Sequence, residues 1–473
     1  MQIHVVKNGD SLWRIAQNYG TDSSQIASVN DLEDPDVLVV GQSLVIPEPG
    51  IDYVVQPGDT LRTVADRFGV TVQQLAAANQ IADPSRIYAG QMLQTPFITH
   101  NVQAGDTIWA LAQQYGVSVA TILSVNRLSA PGLIFPGQTL IIPIAIRRPV
   151  IDTFAYASLV GSSTGKSDVL RLGRHLSYLG PSMYHFTEDG ELVELEDQPV
   201  RQAAAETNTA PILVVANQGE EGGFDSELAA DLLQDSDTQT QFMTNLLDEL
   251  REKDYAGVNF DFEYINSEDR ENYNAFLRRA VIRLHPEGFL VSTAVAPKQS
   301  GGQQGQLYGG VDYQAHGSIC DFVILMTYEW GWSGGPPRAI APVDEVRGVL
   351  DYAVRLIPRD KIFMGISLYG RDWKIPWEEG TRADTLNPQV LLERAVDYGT
   401  AIQYDDTSQA PFYRYTDDDG QRHEVWFEDA RSMQAKYDTV SAYGIRGAAY
   451  WTLNFSFPQN WAVLQDNFRV RQW

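Results

Sequence analysis

The chain has 473 residues, with 35 Lys and Arg against 61 Asp and Glu, which gives a formal net charge of −26. A chain with this negative charge should repel phosphate backbones and anionic lipids. We therefore expect neither nucleic acid nor membrane partners. There is no apolar run of about 20 residues and no secretory signal at the N-terminus. The single cysteine, Cys320, excludes an intrachain disulfide, and the scattered histidines predict no metal site. We expect no cofactor, and the oligomeric state stays open.

Internal repeats organise the first third of the sequence. Four marks recur with offsets of 49 and 47 residues, so three copies align without internal gaps. The marks are Gly9-Asp10, Gly58-Asp59 and Gly105-Asp106; Asn30, Asn79 and Asn126; Gly41-Gln42, Gly90-Gln91 and Gly137-Gln138; and Pro47, Pro96 and Pro143. The pattern predicts three tandem units of fewer than 50 residues each.

Each copy reads as a β-α-α-β unit. In the first, a short β run over residues 4–6 leads to the Gly-Asp turn, whose Asp10 we expect to cap a helix. That helix is predicted from one apolar face at i, i+3, i+4 and i+7, formed by Leu12, Ile15, Ala16 and Tyr19. A second short helix ends near Asn30, and a last strand covers residues 43–46.

The units resemble LysM modules, which implies binding to N-acetylglucosamine-containing glycans such as peptidoglycan or chitin. We place the three modules at residues 1–48, 51–97 and 99–145. Trp13 and Trp109 occupy a position that is Arg62 in the second copy. We therefore expect the second module to bind differently or only to space the others. The alternative is that all three are structural spacers.

From residue 149 to residue 473, β-type runs alternate with helical stretches. Eight strands with helical crossovers predict a parallel (β/α)8 TIM barrel in an α/β chain. The runs cover residues 150–158, 178–186, 212–217, 257–264, 289–297, 322–330, 362–369 and 447–452. The long gap over residues 371–437 predicts a small β insertion between strands 7 and 8, over the barrel mouth.

The fourth run alternates strictly between apolar and polar residues. One face carries Val258, Phe260 and Phe262, which we expect to pack against helices; the other carries Asn259, Asp261 and Glu263, which we expect to face the lumen. Glu263 lies nearest the C-terminal end, where barrel enzymes keep their active sites. A neighbouring Asp261 raises the pKa of Glu263, as a general acid for glycosidic cleavage requires. The alternative is an exposed edge strand, which would need a different fold.

This run resembles the fourth-strand signature of family 18 glycoside hydrolases, Asp-Gly-x-Asp-x-Asp-x-Glu. Gly257, Asp261 and Glu263 match it, whereas Ala256 and Asn259 replace the first two acids. Residues 326–329 (Met-Thr-Tyr-Glu) resemble the family's Met-x-Tyr-Asp at the end of strand 6. Tyr450 and Trp451 end strand 8, where the family carries a tryptophan beneath the sugar.

The resemblance implies a retaining, substrate-assisted mechanism without an enzyme nucleophile. Glu263 would act as general acid and base. Asp261 and Tyr328 would hold the acetamide of the substrate, and Asn259 would stand as hydrogen-bonding partner of Asp261. For sugar binding, the resemblance implies Trp451, Met326 and Glu329.

The whole arrangement resembles the spore cortex-lytic N-acetylglucosaminidases of endospore-forming bacteria. That implies a hydrolase of peptidoglycan fragments during germination, anchored to the glycan by its LysM modules. It also implies synthesis in the mother-cell cytoplasm without a signal peptide, and a place in the coat and cortex region of the spore. A chitinase with the same mechanism, a muramidase and a non-catalytic glycan-binding protein stay open, as does endo or exo action.

Overall fold

The computed structural model describes residues 1–48, 52–68, 70–95, 97–126, 128, 134–143, 148–219, 222–303 and 305–473, so the repeated mark Pro96 lies outside the described residues. The chain forms two compact units. The first contains Met1–Pro149 and Pro458–Phe468, and the second contains Val150–Phe457 and Arg469–Trp473. No helix in the described ranges is long and apolar enough to span a membrane.

The first unit contains the three predicted β-α-α-β modules, each with its two strands paired antiparallel. The helix face predicted in the first copy is confirmed, with Leu12, Ile15 and Ala16 buried. The elements are Gln2–Val5, Leu12–Tyr19, Ser23–Val29 and Ser43–Ile46; Asp52–Val54, Leu61–Phe68, Val72–Ala78 and Met92–Gln94; and Phe97–Asn101, Ile108–Tyr115, Val119–Val125 and Thr139–Pro143.

The repeated asparagine joins the second helix of each module to its last strand. In the first module, the amide of Asn30 donates to the carbonyls of Ile26 and Val45, each at 2.8 Å, and accepts the Val45 N–H at 2.8 Å. Asn79 and Asn126 make the same three bonds in their modules. The repeated residue therefore specifies the module fold, because it satisfies strand groups that would otherwise be buried without partners.

The Gly-Asp turn differs from the prediction. Ser11 caps the first helix by accepting the Arg14 N–H, whereas Asp10 accepts the backbone N–H of Lys7 at 2.8 Å and contacts His4 Nε2 at 3.0 Å. The expected Asp cap is wrong because the carboxylate closes the turn that precedes the helix, and the next residue, a hydroxyl side chain, reaches the helix terminus.

The helix Pro458–Asn467 belongs to the first unit, although the segments on either side of it belong to the second. The Gln459 amide donates to Asn30 Oδ1 at 2.8 Å and to the Ser43 carbonyl at 2.9 Å, all buried. Arg148 also forms an ion pair with Asp466 at 2.9 Å. Deleting the modules would therefore leave buried polar groups of this helix without partners.

In the second unit, eight parallel strands close into the predicted barrel, because strand 8 pairs with strand 1. The strands are Val150–Ala157, Tyr178–Pro181, Ala210–Ala216, Gly257–Asp261, Leu290–Val295, Phe322–Leu325, Ile362–Ser367 and Gly447–Trp451. Several end earlier than predicted. Strand 4 stops at Asp261 and strand 6 at Leu325, so Glu263 and Tyr328 stand on the loops that follow.

Helices cover the outside of the barrel, so the barrel unit has two apolar layers. One lies between the strands and the helices, and the other lies inside the barrel. The outer layer joins Val258, Phe260 and Phe262 of the strand 4 segment to helix residues such as Leu246 and Phe276, which confirms the predicted outward face. The lumen is filled by a second cluster, which includes Phe154, Ile212, Phe322 and Phe363. The main helices are Ser163–Leu172, Gln198–Glu206, Ser226–Gln234, Ser236–Glu252, Arg270–Leu284, Tyr313–Ile319, Val343–Ala353 and Ala430–Tyr443.

The predicted insertion between strands 7 and 8 is a five-stranded antiparallel sheet with one helix, Pro388–Asp397. In spatial order its strands are Asp384–Leu386, Gly370–Ile375, Arg422–Trp426, Ala410–Thr416 and Gln403–Asp405. Its strand Gly370–Ile375 supports the loop after barrel strand 6, because Trp373 donates its indole N–H to the Gly335 carbonyl at 2.9 Å. The insertion therefore borders the C-terminal end of the barrel.

We expect Asn79→Ala to loosen the second module, because it removes three hydrogen bonds at once, one buried and two partly buried. Leaving buried partners unsatisfied costs about 1–3 kcal/mol. Hydrogen exchange of the full chain should then be faster at the Gln94 amide. The exposed Gln73, on the same helix, supplies the control Gln73→Ala. Equal exchange in both variants would contradict a structural role for the repeated asparagine.

Candidate active site

The predicted polar face of strand 4 lies in the lumen. Asn259 and Asp261 are buried, and Asn259 lies between Val214 of strand 3 and Ser292 of strand 5 in the sheet register. Polar groups in so apolar a surrounding are costly unless they are hydrogen-bonded or neutral. The site therefore contains a few polar groups, and burial favours the neutral, protonated form of its carboxyls.

Asn259 has its amide orientation fixed by two neighbours. The Tyr156 hydroxyl donates to Asn259 Oδ1 at 3.1 Å, and Asn259 Nδ2 donates to Ser292 Oγ at 3.0 Å. The Ser292 hydroxyl in turn donates to the Val258 carbonyl at 3.0 Å. This directed chain holds the amide in one orientation, with its oxygen toward Tyr156 and its nitrogen toward Ser292. The expected hydrogen bond between Asn259 and Asp261 is therefore wrong, because both ends of the amide bond other residues.

Asp261 and Glu263 are a pair of neighbouring carboxyls, of which Asp261 is buried and Glu263 is half-buried. Burial raises the pKa of Asp261 to about 7, and one of its oxygens has no hydrogen-bond partner. The pKa of Glu263 rises to about 8, first through burial and then through the charges of Asp261 and Glu329. Since two like charges in a low dielectric disfavour each other, the pair holds a proton at neutral pH.

The backbone of Glu263 is held by a side chain of the neighbouring strand. Asn217, which follows strand 3, accepts the Glu263 N–H at 2.9 Å and donates to the Glu263 carbonyl at 2.9 Å. The next residue, Tyr264, turns the chain with a φ of 57°. Asn217 thereby replaces the strand pairing that ends at Asp261 and fixes where Glu263 stands.

Tyr328 lies in the loop after strand 6 and is buried. Its pKa rises far above the ordinary value, first through burial and then through the charges of Asp261, Glu263 and Glu329. Gly365 of strand 7 leaves room for its ring. A Cβ at Gly365 would lie 2.8 Å from Tyr328 Cε1 and 2.5 Å from the Leu325 carbonyl oxygen.

Glu329 takes a strained backbone conformation, with a φ of 71°. Its carboxylate accepts hydrogen bonds from the Tyr369 hydroxyl and, at 2.7 Å, from Arg371 Nη2. Arg371 also donates to the Gly331 carbonyl at 3.2 Å and belongs to the insertion sheet. The insertion thus orients a carboxylate that acts on the pKa of Glu263.

Trp451 and Met326 complete the arrangement. Both pack against the lumen cluster, and Trp451 is the last residue of strand 8. The Trp451 ring meets the Tyr156 ring edge-on, with centroids 5.1 Å apart. Since Tyr156 also bonds Asn259, one residue of strand 1 connects the indole to the polar chain.

All seven residues singled out in the sequence therefore gather at the C-terminal ends of strands 4, 6 and 8. Sequence reasoning missed five supporting residues: Tyr156, Asn217, Ser292, Gly365 and Arg371. A polar residue on a barrel strand, as at Ser292, or directly after one, as at Asn217, was the available signal for two of them. In the parts of the chain that the structure describes, no group of acidic, histidine and cysteine side chains could hold a metal ion.

Comparisons with known proteins agree with this geometry. Residues 186–455 match glycosyl hydrolases family 18, and residues 4–47, 53–96 and 100–143 match the LysM domain. The cortical fragment-lytic enzyme of Bacillus subtilis (strain 168) is 44% identical, with 99% of each chain covered. The Bacillus anthracis enzyme of the same name is 40% identical, again over 99% of each chain.

Among solved structures, the spore cortex-lytic enzyme SleL of Bacillus megaterium QM B1551 superimposes with a TM-score of 0.78 at 36% identity. The match covers 100% of this chain and 99% of that one. The family matches, the relatives and the solved structure all agree with the predicted catalytic barrel and with the three predicted LysM modules. The chain belongs to glycosyl hydrolase family 18 and carries three LysM domains ahead of its catalytic barrel.

Proposed function

We propose that the chain hydrolyses peptidoglycan fragments of the spore cortex as an N-acetylglucosaminidase. The observation that carries the proposal is the carboxyl pair at the mouth of the barrel, where Glu263 follows strand 4 two residues after the buried Asp261. Burial and the charge of Asp261 raise the pKa of Glu263 to about 8, which favours its protonated form at neutral pH. A protonated carboxyl at the mouth of a barrel can deliver that proton to a glycosidic oxygen.

In the proposed first step, the acetamido oxygen of the substrate attacks C1 as the bond to the leaving oxygen breaks. That oxygen takes the Glu263 proton, and an oxazolinium ion forms. In the second step, Glu263 removes a proton from a water molecule. The water oxygen attacks C1 and breaks its bond to the acetamido oxygen, which opens the oxazolinium ring. Two inversions at C1 retain the anomeric configuration.

Four other residues take roles in this scheme. Asp261, with its unpartnered oxygen, accepts the acetamide N–H, and the Tyr328 hydroxyl orients the acetamide carbonyl. Trp451 lies beneath the sugar ring, since an indole face suits the apolar face of a pyranose. Met326 and Glu329 line the same subsite. Asn259, held by Tyr156 and Ser292, occupies its place in the lumen without adding a third charge.

Two relatives are cortical fragment-lytic enzymes, and together with the LysM repeats they support cortex peptidoglycan as the polymer. We assign glycan anchoring to the LysM region as a whole, which consists of the modules at residues 1–48, 51–97 and 99–145, and catalysis to residues 149–473. The site of action would be the coat and cortex region of the spore, after synthesis in the mother cell. Neither nucleic acid nor a membrane is needed as a partner.

Mass spectrometry of cortex-fragment digests made in ¹⁸O-water tests the proposal. We expect ¹⁸O on N-acetylglucosamine at the new reducing end, with the β-anomer formed first. Labelled muramic acid at that end would indicate a muramidase instead. Faster cleavage of chitin oligomers than of cortex fragments would indicate a chitinase.

Glu263→Gln should lose about 10²–10⁴-fold in kcat on cortex fragments, because the amide cannot donate the proton. The fold should persist, since the two side chains have the same shape. Glu268→Gln, at an exposed residue of the following turn, is the matched control. Activity of Glu263→Gln within tenfold of the parent would assign the acid elsewhere.

Asn259→Asp should leave an active enzyme whose alkaline limb lies at higher pH. A third carboxyl in the lumen adds a like charge, so the pKa values of Asp261 and Glu263, already about 7 and 8, rise further. The pH dependence of kcat/KM measures the shift. Asn208→Asp adds the same charge at an exposed position of the barrel unit and should leave the profile unchanged. Identical profiles in both variants would mean that residue 259 is not coupled to the pair.

Gly365→Ala should lower kcat about 10²-fold by displacing the Tyr328 ring, since small misplacements in a site have effects of that size. Gly302→Ala, where no atom lies within 4 Å of the added Cβ, should leave kcat unaltered. Single-turnover kinetics on soluble fragments separates the chemical step from binding. Wild-type kcat in Gly365→Ala would remove Tyr328 from the proposed mechanism.

A further inference from the structure

The asparagine and glutamine repeated in all three modules make hydrogen bonds that stabilise the fold of each module. The asparagines tie helix to strand, and the glutamines accept a backbone N–H of the loop before the last strand: Gln42 from Val39, Gln91 from Tyr88 and Gln138 from Phe135. The residues common to all three copies therefore do not distinguish a binding module from a spacer. Any difference in ligand binding must come from positions where the copies differ.

The copies differ most on their surfaces. Trp13 is 65% exposed and Trp109 is 66% exposed, whereas Arg62 stands at the corresponding position of the second module. The loop before the last strand adds exposed Val40 in the first module and Phe135 in the third. Over residues 52–68 and 70–95, the described part of the second module, no large apolar side chain is exposed.

The backbone brings these apolar residues to the same end of their module. Gly41 donates its N–H to the Val6 carbonyl at 2.9 Å, beside the turn that leads into the helix carrying Trp13. Gly137 donates to Val102 in the same way at 2.8 Å, beside the turn that leads to Trp109. An indole and a second apolar side chain therefore face solvent at one end of modules 1 and 3.

The turn itself is also built in two ways. His4 bridges Asp10 and Tyr19 in the first module, and His100 bridges Asp106 and Tyr115 in the third, with contacts of 2.7–3.2 Å. In the second module Tyr53 replaces the histidine and donates to Asp59. Arg67 lies over the Tyr53 ring and bonds its hydroxyl at 3.0 Å. Modules 1 and 3 thus form one class and module 2 another.

We propose that modules 1 and 3 hold the glycan strand through Trp13 and Trp109, and that module 2 spaces them without binding. The inference rests on the proposed function, because the ligand is the N-acetylated polysaccharide that the barrel cleaves. Exposed apolar side chains that lie together at one end of a module are typical of a ligand-binding surface. The flat indole can bury the apolar face of a pyranose, and the neighbouring apolar side chain can meet an acetamido methyl group. Two such modules on one chain add avidity.

Pelleting of the full chain with insoluble purified peptidoglycan tests the inference, in a Glu263→Gln background so that the polymer persists. Trp13→Ala and Trp109→Ala should each weaken binding roughly tenfold, and the double variant by about 10²-fold or more. Arg62→Ala, the matched change in module 2, should bind within twofold of the parent. Thermal unfolding of each variant checks that the fold is intact.

Equal loss in Arg62→Ala and Trp13→Ala, or full pelleting of the double variant, would overturn the inference. If the tryptophans instead join two copies of the chain, the double variant would sediment as a smaller species and still pellet, which also overturns it. Failure of the proposed function is distinguishable, because the enzyme with native Glu263 would then leave soluble cortex fragments uncut while the pelleting results stand on their own.

Discussion

The burial of two neighbouring carboxyls in the barrel lumen is the constraint on which the rest of the site depends. Asp261 and Glu263 lie on a surface that is otherwise apolar, and burial is the largest cause of the rise in both pKa values. A third carboxyl, Glu329, adds to the pKa of Glu263 but has Arg371 as its ion-pair partner. Burial disfavours the charged form of both carboxyls, so the pair keeps a proton that Glu263 can donate to the leaving oxygen.

The surroundings of the pair keep that arrangement fixed. Asn259 occupies a place where an acid would add a third lumen charge, and Tyr156 and Ser292 saturate its amide. Asn217 replaces strand pairing at the backbone of Glu263. These contacts involve backbone groups and neutral side chains, so they fix geometry without neutralising the carboxyls.

The sequence alone predicted the modules and the barrel, because periodicity and repeated marks are local signals. It also singled out seven candidate site residues, whose roles stay predictions. The alternation over residues 258–263 was sufficient to separate the helix-facing from the lumen-facing side chains. The supporting contacts were not predictable, since Asn217 is 46 residues from Glu263 and Arg371 is 42 from Glu329, and only the closed barrel brings them together. The cap assigned to Asp10 failed because this carboxylate accepts the Lys7 N–H in the turn before the helix, and the Ser11 hydroxyl caps the helix instead.

The central claim is that Glu263 keeps a proton at neutral pH in the free enzyme. Infrared difference spectra between the parent chain and Glu263→Gln, titrated from acid to alkaline pH, measure this directly. The account predicts a protonated-carboxyl C=O band that persists through neutrality and disappears around pH 8. Loss of that band in the ordinary glutamate range, near pH 4.5, would contradict it.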